Sequence, residues 1–406
     1  MRRFSISDSG NEVLSMKLVY VTYHYPAVGG EGYRSVEQLK LLLGSFDVTL
    51  ISLYGETAQT LPLPSGVSEA MQLSPEKRKV SLISQANPLP FLRSFQGFGD
   101  PITASKLDLS QREILRREIA RLKPGIVIAR APAIVYLLNG QRQPGQVFVA
   151  DMVDSMQRFF QSILDYGDFF LKPPALLYKK LAAMSERGLR GYDTMTFITE
   201  ADRRFFSGPI NTEILPDIKH PVPVQAVKKK FDAVLFGSWS YYPNYHGLLH
   251  FSRNILPLMK ERRIAVIGKL PPKIAAVLEK YDNVTATGYL EDDEFGRTVA
   301  SSYASISPVL IGAGQQNKVL DALGMGVPVI ATPLFAESNP SAPVSIAGKP
   351  AEFGESLKKI LDLPKADYSA LSEKCRDFYV DYSEKSELAN QKFFSGLEAR
   401  AKSARK

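Results

Sequence analysis

The chain has 406 residues, 45% of them hydrophobic, a formal net charge of +8 and one cysteine, Cys375. That length suits two domains, each burying its own core; the lone cysteine excludes an internal disulfide framework and a cysteine-rich zinc site. No apolar run reaches the roughly 18 residues that a membrane-spanning helix needs, and the positive charge fits either an anionic partner or no specific partner at all.

Residues 1–15 are polar and lack the apolar stretch of a secretory leader. They are expected to stand outside the fold as a disordered or non-native extension, with Met16 as an alternative start. The first domain is expected over residues 16–220. It opens with a strand at 17–22, the loop His24-Tyr-Pro-Ala-Val-Gly-Gly-Glu-Gly-Tyr33, and an amphipathic helix carrying Val36, Leu39, Leu42 and Leu43. A strand at 46–53 follows. Residues 55–105 are rich in Pro, Ser and Gly and read as an irregular insertion over the sheet face. A helix at 107–122, strands at 125–129 and 146–150, a basic helix over 175–190 and a strand at 193–199 continue the alternation. Three prolines and Lys228-Lys-Lys230 break periodicity over 216–230 and mark a linker.

The second domain is expected over residues 221–375. It begins with a strand at 231–236 that ends in Gly237 and Ser238, then a helix at 244–260 and a strand at 264–267. A helix at 272–280, a strand at 283–287 followed by Gly288 and Tyr289, and a strand at 304–308 come next. A glycine loop leads to a helix at 315–325, which Gly326 caps, and a strand at 327–331. Residues 376–406 are expected to be helical. Short strands alternating with helices make this an α/β protein with parallel sheets, built as two Rossmann-like halves.

The segment 307–332 carries most of the functional inference. It reads strand, glycine loop, helix, strand. Gly312 and Gly314 allow close backbone approach. The helix start offers free N–H groups at Gln315, Gln316 and Asn317, and its dipole favours a phosphate. Lys318 in the first turn adds a full positive charge. Asp321 lies on roughly the same face, where a carboxylate can accept hydrogen bonds from sugar hydroxyls. The alternative is an ordinary helix with Lys318 and Asp321 as a solvated pair.

Other residues sit at strand ends, where α/β sheets place ligand groups. His24 faces either a substrate or its own core. Arg130 binds an acceptor anion or forms a surface ion pair. Asp154 orients an acceptor hydroxyl or caps a helix. Trp239 lines a cleft or packs. The helix over 171–190 carries Lys172, Lys179, Lys180, Arg187 and Arg190 among Leu and Tyr, which suits either a membrane-surface contact or a solvated face. The apolar island 88–98 shapes an acceptor site or touches lipid.

The glycine-loop segment, with Asn317-Lys-Val-Leu-Asp-Ala322 ahead of Gly326-Val-Pro-Val329, resembles the donor-site motif of GT-B glycosyltransferases of the family 4 type. Residues 16–30, 149–154, 199–203, 236–244 and 381–383 resemble other family segments in the same order. The resemblance implies two Rossmann-like domains facing each other across a donor-binding cleft, with residues 376–406 crossing back to the first. It implies a retaining enzyme moving a sugar from a nucleotide-diphosphate sugar to a hydroxyl on a glycan or lipid-linked acceptor, without an obligatory metal or cofactor. Gly29 and Gly30 would approach the diphosphate, Gly237, Ser238, Gly288 and Tyr289 would line the donor, and His24, Lys318 and Asp321 would serve the reaction. The setting would be synthesis of a bacterial cell-surface polysaccharide or glycolipid in the cytoplasm, with peripheral contact at the inner membrane.

The sequence departs from that family in two places. Ala313 stands where the first of two motif glutamates is usual, and no Arg or Lys follows Gly237 early in the second domain. Lys318 would then supply the missing charge. Two rivals keep a place: a non-catalytic GT-B scaffold, and a nucleotide-sugar epimerase. A nucleic-acid partner is not expected, because no helix-turn-helix, zinc or RNP-like pattern accompanies the charge.

Overall fold

Strands and helices alternate through the computed structural model, which describes residues 2–5, 16–26, 30–54, 60–74, 109–220, 222 and 227–404. Gly29, the apolar island 88–98 and most of the expected insertion lie outside the described residues. The chain divides into two units. The first holds Met1–Leu164, Asp168–Ile218 and Ser386–Lys406; the second holds Asp165–Gly167 and Lys219–Lys385.

The first unit contains β1 (Arg2–Ser5), β2 (Met16–His24), α1 (Gly30–Leu43), β3 (Phe46–Tyr54), β4 (Glu69–Ser74) and α2 (Leu109–Leu122). It continues with β5 (Ile126–Arg130), α3 (Pro132–Leu137), β6 (Val147–Val153), α4 (Met156–Tyr166), a 3-10 turn (Phe169–Leu171) and α5 (Lys172–Arg187). β7 (Thr194–Phe197), α6 (Glu200–Arg203) and β8 (Thr212–Ile214) follow. Among the described residues the sheet order is β1-β4-β3-β2-β5-β6-β7-β8. All pairs are parallel except β1 with β4.

Successive residues of β2 point to opposite faces, as strand geometry requires. Leu18 and Tyr20 pack with Leu39 and Leu42 of α1 and with Phe393, Phe394 and Leu397 near the chain's end. Val19 and Val21 pack with Ile119 of α2 and Ile134 of α3. Helices on both sheet faces leave these strands buried on both sides, hence their near-continuous apolar runs.

Two expectations are corrected here. Arg2–Ser5 do join the fold, pairing antiparallel with β4; edge pairing uses backbone groups and needs no apolar sequence. Residues 69–74 are not irregular, since they form β4, parallel to β3, with Ala70, Met71 and Leu73 buried.

The second unit contains β9 (Phe231–Phe236), α7 (Tyr242–His250), β10 (Ile264–Ile267), α8 (Pro272–Leu278), β11 (Val284–Gly288), α9 (Asp292–Ala300) and β12 (Ser302–Ser307). Then come α10 (Asn317–Gly324), β13 (Val329–Ala331), α11 (Pro333–Ser338), β14 (Val344–Ile346), α12 (Pro350–Leu361) and α13 (Lys365–Ala404), whose residues from Ser386 onward count with the first unit. The single long helix expected at 244–260 is instead α7, one π turn (Phe251–Ile255) and a 3-10 turn (Leu256–Leu258). Pro257 has no N–H to continue an α-helical ladder.

The second sheet is parallel throughout, in the order β11-β10-β9-β12-β13-β14. This is the doubly wound order of dinucleotide-binding folds, with its reversal between β9 and β12. The first sheet reverses between β2 and β5. Val319, Leu320 and Leu323 anchor α10 against Val234 and Phe236 of β9 and Cys375 and Tyr379 of α13. Each fully buried side chain of that size contributes about 1.5–3 kcal/mol, so the start of α10 is held firmly at the reversal.

Candidate functional site

In the second unit, the reversal brings together the ends of β9 and β12. The loop after β12 passes through Gly314, whose φ of 72° favours glycine. Side chains pin this loop. Ser338 Oγ donates to the Gly314 carbonyl at 3.2 Å, and Thr332 Oγ1 donates to the Val309 carbonyl. α10 begins at Asn317, two residues later than the expected 315. Gln315 and Gln316 are drawn out of the helix: Asn339 Nδ2 donates to Gln315 Oε1 at 3.1 Å, and Ser307 Oγ donates to Gln316 Oε1 at 2.9 Å. The buried Nε2 groups of both glutamines have no hydrogen-bond partner among the described residues. No side chain caps α10. Within its first turn Asn317 N–H donates to the Gln315 carbonyl at 3.1 Å and Val319 N–H to the Gln316 carbonyl at 2.9 Å, so what this end offers an anion is the helix dipole and the two glutamine Nε2 groups.

Lys318 lies in that first turn. Its Nζ donates to Asn244 Oδ1 on α7, and Asn244 Nδ2 donates to the Ser238 carbonyl at 3.1 Å. Burial lowers the Lys318 pKa to about 7. A methyl group on Gly237 would stand 3.2 Å from Asn244 Nδ2 and 3.8 Å from Lys318 Nζ. Glycine at the end of β9 thus keeps the approach to the ammonium open.

The solvated Lys318–Asp321 pair does not form. Asp321 instead accepts from Lys219 Nζ at 3.0 Å. Lys219 is held by α13, since Ser383 Oγ donates to its carbonyl and Tyr379 Oη donates to the next carbonyl, His220, at 2.7 Å. Gly288 ends β11 with φ 73°, its carbonyl accepting from Gly268 N–H at 2.7 Å, and Tyr289 beside it is exposed. Trp239 packs rather than lining an opening: it is buried and donates Nε1–H to the Ile267 carbonyl at 3.0 Å.

In the first unit, His24 ends β2, half-buried, its ring edge-on to Tyr23 at 4.5 Å. Gly30 opens α1. Arg130 ends β5, and the surface ion pair does not form: it is wholly buried, and its Nε lies 3.9 Å from Asp151 Oδ2. Asp151 centres a buried cluster: Arg34 donates to both its oxygens at 3.1 and 3.2 Å, and Thr196 Oγ1 donates to it at 2.9 Å. Arg34 also reaches Asp217 at 3.0 Å. Burial pushes the Asp151 carboxyl up, but the Arg34 guanidinium outweighs that and holds it below the usual range.

Asp154 is not a helix cap. The next residue is, with Ser155 Oγ accepting from Arg158 N–H at 3.2 Å at the start of α4. Burial, then the charges of Asp202 and Asp217, push the Asp154 carboxyl up to about 8. The residue before it, Val153, has φ 64°, and Ala131 at the end of β5 has φ 73°. A β-branched residue at positive φ is strained, and such strain gathers at functional sites.

Residues 230–362 match the family model described as glycosyl transferases group 1. That stretch lies within the second unit, which is therefore similar to the group 1 glycosyltransferases. No curated protein sequence matches the chain significantly. Solved structures do. Sucrose-phosphate synthase from Thermosynechococcus elongatus is 13% identical, with 95% of this chain and 100% of that one aligned and a TM-score of 0.68. WaaG, a glycosyltransferase involved in lipopolysaccharide biosynthesis, is 14% identical over 92% and 98% of the two chains, with a TM-score of 0.59. HepE of Anabaena, solved in complex with UDP and glucose, is 9% identical over 95% and 100%, with a TM-score of 0.60. These likenesses establish the GT-B fold with its two Rossmann-like units.

The matched stretch contains Gly237, Ser238, Gly288, Tyr289, Gln315, Gln316, Lys318 and Asp321. Asn244 and Lys219 were not legible as site residues, because each meets its partner far along the chain. The only sequence signal for Asn244 is its place, with Pro243, at the opening of a helix after Gly237. Among the described residues no group of three His, Cys, Asp or Glu is placed to hold a metal ion. Nor is any helix there long and apolar enough to cross a membrane.

Proposed function

We propose that the chain transfers a sugar, with retention of configuration, from a nucleoside-diphosphate sugar to a hydroxyl acceptor. One observation carries this reading: the half-buried Lys318 ammonium stands beside the uncapped start of α10 and the side-chain-free Gly237. Two phosphates are the chemistry that suits such a place, since the helix dipole and the glutamine Nε2 groups favour an anion and the lysine supplies the countercharge. The UDP bound to HepE, a protein of the same fold, supports it.

In the proposed reaction the bond from the anomeric carbon to the diphosphate oxygen breaks. The acceptor hydroxyl attacks from the same face, and its proton passes to the departing phosphate. Lys318, the first turn of α10, Gln315 and Gln316 would stabilise the charge that develops on the leaving group, usually the largest catalytic term. Tyr289, Gly288 and Ser238 would line the nucleotide, and Asp321, held by Lys219, would accept from sugar or ribose hydroxyls. Asp154 and His24 would serve the acceptor in the first unit. The proposed chemistry needs no metal. The likeness to WaaG supports a place in bacterial surface glycan synthesis, with a glycan or lipid-linked acceptor.

A thermal-shift panel of UDP-, GDP- and ADP-sugars tests the proposal. The correct donor raises the melting temperature by mass action and, with acceptor present, releases its nucleoside diphosphate. A second reading, a scaffold that binds nucleotide without transfer, is favoured by one observation, Ala313 in place of the first motif glutamate. Slow donor hydrolysis separates the two: a scaffold releases no nucleoside diphosphate at all.

A further inference from the structure

We infer that Ser307 and Asn339 are positioning residues: they turn the amides of Gln316 and Gln315 so that the loop before α10 presents donors alone, and what this loop reads on the incoming sugar nucleotide is an oxyanion, not a hydroxyl. The inference rests on the donor reading above and deepens it. A glutamine amide can face a ligand with its acceptor oxygen or with its two donors, and nothing in the residue itself decides which. Here the fold decides. Ser307 ends β12, 1% exposed, and its Oγ donates to Gln316 Oε1 at 2.9 Å. Asn339 follows α11, 7% exposed, and its Nδ2 donates to Gln315 Oε1 at 3.1 Å. Each amide oxygen is thereby engaged inside the protein. Both Nε2 groups are shielded from water and meet no partner among the described residues. Buried donors are nearly always met, so two unmet ones in succession mark a place kept for acceptor atoms.

The backbone of the loop has the same bias. The Val309 and Gly314 carbonyls accept from Thr332 Oγ1 and Ser338 Oγ, and those of Gln315 and Gln316 accept from the N–H groups of Asn317 and Val319. Between Ser307 and Leu320 the chain carries no acidic side chain. A sugar hydroxyl must donate its own hydrogen, and against this face that hydrogen finds little to receive it. An oxyanion only accepts, and donors in a shielded site hold it through charge-assisted bonds. Two parts of a sugar nucleotide carry such oxygens: the diphosphate, and the carboxylate of an acidic sugar.

Calorimetry on the full chain uses UDP, GDP and ADP as probes, then UDP-glucose and UDP-glucuronate. Asn339→Asp cannot donate to Gln315 Oε1 and accepts from its Nε2 instead, which turns the amide round. It is expected to weaken binding of the matching probe roughly tenfold, more than Asn339→Ala, which only releases the amide. In a Gln315→Ala background the same Asp change costs nothing further, because its effect runs through that amide. Ser307→Ala combined with Gln316→Ala gives a second cycle of the same form, which decides the matter if Asn339→Asp fails to fold. A loss already seen with a plain nucleoside diphosphate assigns the oxyanion to the diphosphate. A loss seen with UDP-glucuronate but with neither UDP nor UDP-glucose assigns it to the sugar carboxylate. Affinities equal to the parent's in every variant, or an Asn339→Asp loss that persists without the Gln315 amide, overturn the inference and leave the donor reading standing. A parent chain that binds no nucleoside diphosphate overturns both.

Discussion

Lys318 on α10 donates its ammonium hydrogen to Asn244 on α7, tying together the two strand-loop-helix elements at the reversal of the second sheet. The two residues are 74 apart in sequence. The bond fixes the direction of a lysine whose stem would otherwise sample many rotamers. Asn244→Ala removes that guide and leaves the charge. Nucleoside-diphosphate affinity, measured by calorimetry, then falls about 5- to 10-fold, the contribution of one ordinary hydrogen bond.

Burial holds Lys318 at about pH 7 instead of the usual 10.5. An arriving diphosphate favours the protonated form and returns the pKa upward. Binding near and above neutrality therefore takes up a proton, and affinity falls as the pH rises past about 7. Calorimetry in buffers of different ionisation enthalpy reads the uptake directly. Without ligand the sign for stability is the reverse. The unfolded chain holds this proton up to its ordinary pKa and the folded chain does not, so this group's contribution to stability rises with pH between about 7 and 10.5.

Asp154 behaves oppositely. Its folded pKa of about 8 stands above the ordinary 3.8, so the folded state holds a proton that the unfolded state has lost. Its contribution to stability is present at low pH and is lost as the pH rises from about 4 to about 8. Asp154→Asn abolishes that loss. Thermal melts at pH 8 are expected to rise, by roughly 2–4 °C for each kcal/mol recovered, while sugar transfer drops. A melt unchanged at pH 8 would count against this environment for Asp154.

Two glycines of the second unit should respond with opposite signs. Gly326 has φ 70°, and a methyl group there would lie 2.2 Å from Arg376 Nη1 and 2.7 Å from Ser372 Oγ. Gly326→Ala is expected to cost about 1–3 kcal/mol in denaturant unfolding. Gly354 sits inside α12 with nothing near a new methyl group. Gly354→Ala is expected to add about 0.4–1 kcal/mol.

The alternation of strands and helices and the glycine loop before α10 were legible because they are local. Hydrophobic period and glycine placement within a dozen residues determine them. β4 was hidden because its six residues, Glu69-Ala-Met-Gln-Leu-Ser74, sit among Pro- and Gly-rich sequence and include no β-branched or aromatic side chain. The later start of α10 was hidden because partners on β12 and α11 draw Gln316 and Gln315 out of the helix. The pairing of Asp321 with Lys219, 102 residues away, has no local signature. The same holds for the burial of Arg130 against Asp151.

Calorimetric titration of the matched nucleoside diphosphate into the parent chain and into Lys318→Ala tests the central claim most directly. The account predicts a roughly 10- to 100-fold loss of affinity in the variant, larger than for any other single lysine change, with the proton uptake near neutral pH abolished. Unchanged affinity and unchanged proton uptake would contradict it.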